Sequence, residues 1–290
     1  MELKPRSLQG VIIDQAGSLL DWGCIAPMEA FREVYADEGV PITEAEARAP
    51  MGVHKRKHIY KISQMESVRE RWREIHGQYP TESDVDRMFQ KYQPMQLAIL
   101  PKYKDLIPGA LETVTVLREQ GLKIGSTTGY TQEQTELLLQ LMEEQGLVLD
   151  TAACATGAYW VRRDGRYEVN TIRGLGKDMS RDKPGMCNLN ALLMDVESNA
   201  LVLKAGDTPG DVKEGRHAGM WTAAFDMTGN EIGMPVEQFM AFPASERAKK
   251  LLTARANLYG AGAHYVTSEI WNLIPIVGDI NKRLALGERP

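Results

Sequence analysis

Residues 10–21 read Gly10-Val11-Ile12-Ile13-Asp14-Gln15-Ala16-Gly17-Ser18-Leu19-Leu20-Asp21. The apolar run Val11 to Ile13 is too short for a helix and suits a buried strand. Asp14 ends that strand, and Gly17 follows where the backbone must turn tightly. In an open parallel sheet, ligands sit beyond the carboxyl ends of the strands, so Asp14 points into a candidate site. A carboxylate there can serve as a nucleophile or as a ligand to a hard cation. It can also do no more than cap a turn, as strand-Asp-x-x-Gly often does.

Outward from this strand the pattern changes to helix. Ala26 to Ala36 carries Met28, Phe31, Val34 and Tyr35 at helical spacing, and Thr43 with Glu46 forms a capping-box pattern. Further helical segments fill residues 59–100, broken at Gly77-Gln78-Tyr79-Pro80, with Thr81 and Asp84 opening the last. The block contains no convincing strand and reads as an all-helical insertion. From Leu106 strands and helices alternate: strands at 122–126, 150–156, 200–204, 221–225 and 264–267, and helices at 110–120, 132–145, 186–194, 212–218, 245–259 and 270–286. Residues 157–180 show no clean period and read as a hairpin or a long loop. This alternation predicts an α/β protein, a Rossmann-like doubly wound parallel sheet with an inserted all-helical cap. The expected core is residues 1–22 and 102–290, and the expected cap is residues 23–101.

The chain has 290 residues, enough to bury a sizeable core. A net charge of −5 with a pI near 5.7 gives no support to nucleic-acid binding by bulk electrostatics. Cys24, Cys154 and Cys187 are far apart and fit no metal spacing, which suggests a reducing compartment. No apolar run is long enough to span a membrane, and residues 1–6 lead into no secretory signal, so a cytoplasmic protein is expected.

Four expected strand ends collect the polar residues: Asp14, Ser126 to Gly129, the basic pair Arg181/Lys183, and Asp207 with Asp211. Carboxylates from two strand ends are what Mg²⁺ needs, since it takes a few hard oxygens and keeps waters. Hydroxyls and amides at Thr127-Thr128-Gly129 suit phosphate oxygens, and Arg181 or Lys183 would neutralise them. A carboxylate nucleophile, a metal, a hydroxyl-amide loop and a cation together make a phosphoryl-transfer site.

In this order the four motifs resemble those of the haloacid dehalogenase superfamily. Most phosphatases of that superfamily carry Asp-x-Asp in the first motif, the second Asp acting as acid/base for the leaving group; here that position is Ala16. Within the superfamily the chain is similar to the phosphonoacetaldehyde hydrolases, which make the same replacement and use a cap lysine to form a Schiff base. The resemblance rests on Asp14-x-Ala16-Gly17-Ser18, Asp21-x-Gly23-Cys24-x-Ala26-Pro27, Glu46-Ala47-Arg48-x-Pro50-Met51-Gly52, Lys55-x-x-His58, Ser126-Thr127-Thr128-Gly129-Tyr130-Thr131 and Gly206-Asp207-Thr208-x-x-Asp211. It implies hydrolysis of a P–C bond, with Asp14 as nucleophile and Lys55 as the Schiff-base amine. Mg²⁺ would be held by Asp14, the carbonyl of Ala16 and Asp207, with Asp211 close by. Ala16, Cys24, Met51, Thr128, Gly129, Tyr130 and the cation at Arg181 or Lys183 would surround the substrate. A homodimer, commonly formed through the cap, is also implied.

The lysine chemistry can be argued from the residues. A P–C bond breaks only if the departing carbanion is stabilised, and an iminium on the neighbouring carbon is an electron sink. Lys55 must be neutral to attack an aldehyde, and an unperturbed lysine is almost fully charged at pH 7. Arg56, Lys57, His54 and His58 are like-charge neighbours that could discharge it, as could burial. In a helix Lys55 and His58 share a face, which makes His58 a candidate proton shuttle. Two other readings stay open: a phosphate-ester phosphatase in which Lys55 only binds substrate, and a non-catalytic ligand-binding protein.

Overall fold

The computed structural model describes residues 6–51, 53–172 and 183–290. Its strands are β1 (Gly10–Asp14), β2 (Lys123–Thr128), β3 (Thr151–Cys154), β4 (Ala158–Arg163), β5 (Arg166–Thr171), β6 (Val202–Gly206), β7 (Trp221–Phe225) and β8 (Tyr265–Thr267). They form one sheet of order β5-β4-β3-β2-β1-β6-β7-β8. The six strands other than β4 and β5 run parallel. The central strands β1, β6 and β7 are buried at every residue, as a parallel sheet covered on both faces requires.

The parallel sheet expected from the alternation is extended at one edge by a hairpin, one of the two readings of the 157–180 segment. Residues 158–171 form an antiparallel hairpin on the β3 edge. Its two-residue turn is Asp164-Gly165, both at positive φ (+48° and +79°), the signature of the turn that matches strand twist. Smaller differences have local causes. The strand expected at 200–204 starts later, because Asn199–Leu201 form a 3₁₀ turn. A short helix at Val236–Ala241, starting directly after Pro235, carries too few residues to show a period.

The inserted block after β1 carries α1 (Ile25–Asp37), α2 (Glu44–Arg48), α3 (Lys55–Ser63), α4 (Glu66–His76) and α5 (Glu82–Ile99). The capping boxes read from Thr43/Glu46 and Thr81/Asp84 are both formed. The remaining helices are α6 (Ala110–Glu119), α7 (Gln132–Glu144), α8 (Gly185–Leu193), α9 (Pro209–His217), α10 (Val236–Ala241), α11 (Ala244–Gly260) and α12 (Leu273–Ala285). One apolar cluster runs from Val11 and Ile13 on β1 through Phe31 and Ile59 to Tyr92, so the inserted helices share a core with the sheet. Among the described residues, no helix is long and apolar enough to cross a membrane.

Candidate active site

The strand order reverses at β1, with β2 on one side and β6 on the other. This is the crevice where open α/β sheets take ligands. Asp14 ends β1 opposite Thr127, Thr128 ends β2, and Asp207 follows β6 directly. Gly17 turns the chain back at φ +78°; a Cβ there would lie 2.6 Å from Cys24 Sγ and 2.7 Å from Asp207 Oδ2. Only glycine permits that approach.

Asp14, Asp207 and Asp211, all buried, each bring one carboxylate oxygen within 4.8 Å of the others. Asp207 Oδ2 accepts from the Cys24 thiol at 3.2 Å and from the Asn230 amide at 2.8 Å. Its Oδ1 is buried and has no hydrogen-bond partner among the described residues. Burial, reinforced by the charges of Asp14 and Asp211, pushes the Asp207 carboxyl well above the usual range. Burial and the neighbouring carboxylates likewise push the Cys24 thiol up, which keeps it a donor. An orphaned buried oxygen inside an all-oxygen trio fits a hard divalent cation. Asp211 sits one turn into α9, where its Oδ2 accepts from Thr208 N at 3.2 Å and Thr208 Oγ1 at 2.7 Å in a capping box.

Above the carboxylates lies a cavity of about 40 Å³. Asp14, Ala16, Cys24, Met51, Lys55, Thr128, Gly129, Tyr130 and Asp207 line it, all of them expected from sequence. Pro27, Val53 and Thr208 line it too and were not anticipated. Pro27 and Val53 carry only the signal of lying beside Cys24 and Lys55, and Thr208 that of an N-cap. Lys55 opens α3 and is 7% exposed, with Nζ 4.7 Å from the Tyr130 ring centroid and 5.7 Å from that of Phe31. α7 and α9 both begin at this rim, capped by Thr131 and Thr208, and helix N-termini favour anions.

His58 and Lys183, both expected at the site, stand apart from the cavity wall. His58 shares the buried face of α3 with Lys55 but is fully buried behind it. Its ring stacks on Phe31 with centroids 3.8 Å apart, and its Nε2 donates to the Ala47 carbonyl at 2.7 Å. Burial and the nearby Lys55 charge hold His58 well below the usual imidazole range, so it stays neutral. Its other ring nitrogen, Nδ1, is buried with no hydrogen-bond partner among the described residues. Lys183 is exposed and does not line the cavity, and Arg181 lies outside the described residues. Of the basic neighbours expected to discharge Lys55, Arg56 is itself offset by Asp86 at 2.6 Å and Glu82 at 2.8 Å on α5.

No protein-family model matches the chain. Whole-length relatives do. It is 35% identical over 283 residues to a phosphonoacetaldehyde hydrolase-like protein of Syntrophobacter fumaroxidans, covering 98% of this chain and 95% of the relative. It is 35% identical over 276 residues to the phosphonoacetaldehyde hydrolase of Bacillus cytotoxicus, covering 95% and 97%. The chain belongs to the phosphonoacetaldehyde hydrolase family. Among solved structures, the phosphonoacetaldehyde hydrolase-like protein of Oleispira antarctica superposes with a TM-score of 0.89 at 33% identity over the whole of both chains. The fold is also that of a haloacid dehalogenase-like protein of Agrobacterium tumefaciens, which superposes with a TM-score of 0.58 at 16% identity, covering 94% of this chain and 99% of that one.

Proposed function

We propose that the protein hydrolyses the P–C bond of phosphonoacetaldehyde, yielding acetaldehyde and phosphate, with Asp14 as nucleophile and Lys55 as Schiff-base amine. The observation that carries this reading is that one small cavity is lined by both Asp14 and Lys55, with Ala16 where an acid would otherwise stand. An ester phosphatase needs a proton donor for its leaving group and gains nothing from a buried lysine between aromatic rings. P–C cleavage needs an electron sink, and an imine on Lys55 is one.

In this reading the neutral Lys55 amine adds to the aldehyde carbon, and loss of water with uptake of one proton from solvent gives the protonated imine. An Asp14 carboxylate oxygen attacks phosphorus in line. The P–C bonding pair moves into the enamine as the iminium collapses, leaving an aspartyl phosphate. Water hydrolyses the aspartyl phosphate; the enamine takes a proton at carbon, and water releases acetaldehyde and regenerates Lys55. Thr128 and Gly129 bind the phosphonate, with Arg181 or Lys183 supplying the cation that the motif order implies. Met51, Cys24 and Tyr130 enclose the two-carbon end. His58, with its ring N–H committed to Ala47, supports the helix that carries Lys55. Mg²⁺, held by Asp14, the Ala16 carbonyl and Asp207 with Asp211 beside them, supplies positive charge against the phosphonate and its transition state.

The chain divides in this reading into a core of residues 1–22 and 102–290 and a helical cap of residues 23–101, with Lys55 delivered by the cap. We further place the protein in the cytoplasm without nucleic-acid partners, which its acidic charge and three free cysteines support, and as a homodimer on the family resemblance alone. Borohydride reduction in the presence of phosphonoacetaldehyde, followed by peptide mass mapping, tests the mechanism. A reduced adduct on Lys55, lost together with acetaldehyde release in Lys55→Arg, is the expected result. Folded, Mg²⁺-supplied protein that gives neither adduct nor acetaldehyde would overturn it in favour of an ester phosphatase or a silent scaffold.

A further inference from the structure

Lys204 lies in the middle of β6, on a strand buried at every position, and its side chain is fully buried. Among the described residues the buried lysines are Lys55 and Lys204, and only Lys55 lines the cavity. Lys204 Nζ donates to Asp211 Oδ1 at 2.7 Å and to the Ala205 carbonyl at 3.1 Å, and lies 3.7 Å from Glu214 Oε2. Glu214 Oε2 in turn accepts from Thr127 Oγ1 at 3.0 Å, and Thr127 is the register partner of Asp14. The network thus links β6, α9 and β2 directly beneath the three clustered carboxylates.

The sequence builds this path. Asp211, Glu214 and Gly215 recur at helical spacing and turn one face of α9 to the sheet. A Cβ on Gly215 would meet Thr222 Cγ2 at 2.6 Å and Lys204 Cβ at 2.8 Å, so glycine lets the helix settle on the lysine stem. An ammonium and two carboxylates out of water are a costly way to fill such a space, and apolar side chains of equal volume would fill it more cheaply. The lysine is explained if negative charge must be kept there and balanced.

We propose that Lys204 is the internal counter-cation of the divalent-cation site. It is a positioning residue whose charge holds Asp211 and Glu214 behind Asp14 and Asp207 and sets how tightly the site takes its ion. Asp211 is tied to Lys204 and Thr208, whereas Asp207 keeps Oδ1 for the ion. This rests on reading Asp14, Asp207 and Asp211 as a divalent-cation site.

The test is titration calorimetry of Mg²⁺ into metal-stripped protein: wild type, Lys204→Met, Glu214→Gln and the double variant, each checked for folding by circular dichroism. Removing a positive charge next to the site should tighten Mg²⁺ binding by about tenfold, and removing a negative one should weaken it several-fold. The double variant should fall between the two single variants. A packing role alone cannot give shifts of opposite sign. Shifts of the same sign, or either single variant unchanged, overturn the proposal. Should Lys204→Met fail to fold, the nearly isosteric Glu214→Gln decides alone: weaker Mg²⁺ binding supports the proposal, and unchanged or tighter binding overturns it. A wild-type protein that binds no Mg²⁺ sinks the cation site itself, and the Lys204 role with it.

Discussion

Asp21 stands at the exit from the first motif with a positive φ of +56° and only 2% exposure. Its Oδ1 accepts the Ile25 amide at 2.9 Å and its Oδ2 the Ala26 amide at 3.2 Å, so it anchors the start of α1. Burial raises its carboxyl from 3.8 to about 7, against those two bonds and the charges of Arg48 and Lys55. A folded state that holds this proton more tightly than the unfolded chain loses stability as pH climbs from the unfolded to the folded value. Asp21→Asn removes that titration. Its stability relative to wild type should therefore rise between about pH 4 and pH 7, by an amount on the order of a few kcal/mol, as read by urea unfolding. Parallel pH profiles for the two proteins would contradict the assignment. Ala16 is the other residue-scale lesson. Its meaning lies in what is missing, and that was legible because a neighbouring motif offered Lys55 to take over leaving-group chemistry.

At the scale of elements, the connection from β1 to α1 is clamped by parts distant in sequence. Gly23 (φ +83°) passes so close to the 228–234 loop that a Cβ would lie 2.5 Å from the Met234 carbonyl. Its amide donates to the Thr228 carbonyl at 2.7 Å. Arg48, at the end of α2, donates from Nη1 to the Gly23 carbonyl at 2.8 Å and packs against Gly233. The inserted helices are thereby tied to the loop that also supplies the Asn230 amide to Asp207. Arg48→Met should cost about 1–3 kcal/mol in urea unfolding, by removing a charged donor from buried carbonyls. It should also lower kcat/KM, because Cys24 and the Asn230 amide, both of which donate to Asp207, sit on the segments it joins. Full activity and wild-type stability in this variant would show that the tie is incidental. None of this could be read from residues 228–234, which look like an ordinary polar turn.

At the scale of the whole molecule, the apolar cluster from β1 through Phe31 and Ile59 to Tyr92 makes sheet and inserted helices one packed body. Heat should therefore unfold the protein in a single calorimetric transition, with calorimetric and van't Hoff enthalpies equal. Two resolved transitions would instead mean that the helices 25–99 melt as an independent unit. At one edge of the sheet, the β4–β5 hairpin decides between the two readings, hairpin or loop, for residues 158–171. β5 is exposed at most of its positions, so no burial pattern marks it, although Asp164-Gly165 announces its turn.

Strand–helix alternation and the capping signals that open α2 and α5 were legible in the sequence alone. So were the strand-end residues Asp14, Thr128 and Asp207, because strand period, N-cap chemistry and turn glycines are local properties. Only the tertiary structure decided which of those residues meet. Lys55 reaches the cavity from a helix 41 positions after Asp14, while His58, one turn further on, is turned into packing against Phe31. Lys204, which in sequence is one more residue of a strand, becomes the partner of Asp211 and Glu214. Such long-range choices depend on how buried charge and apolar area are balanced across elements, and no single stretch of chain carries that information.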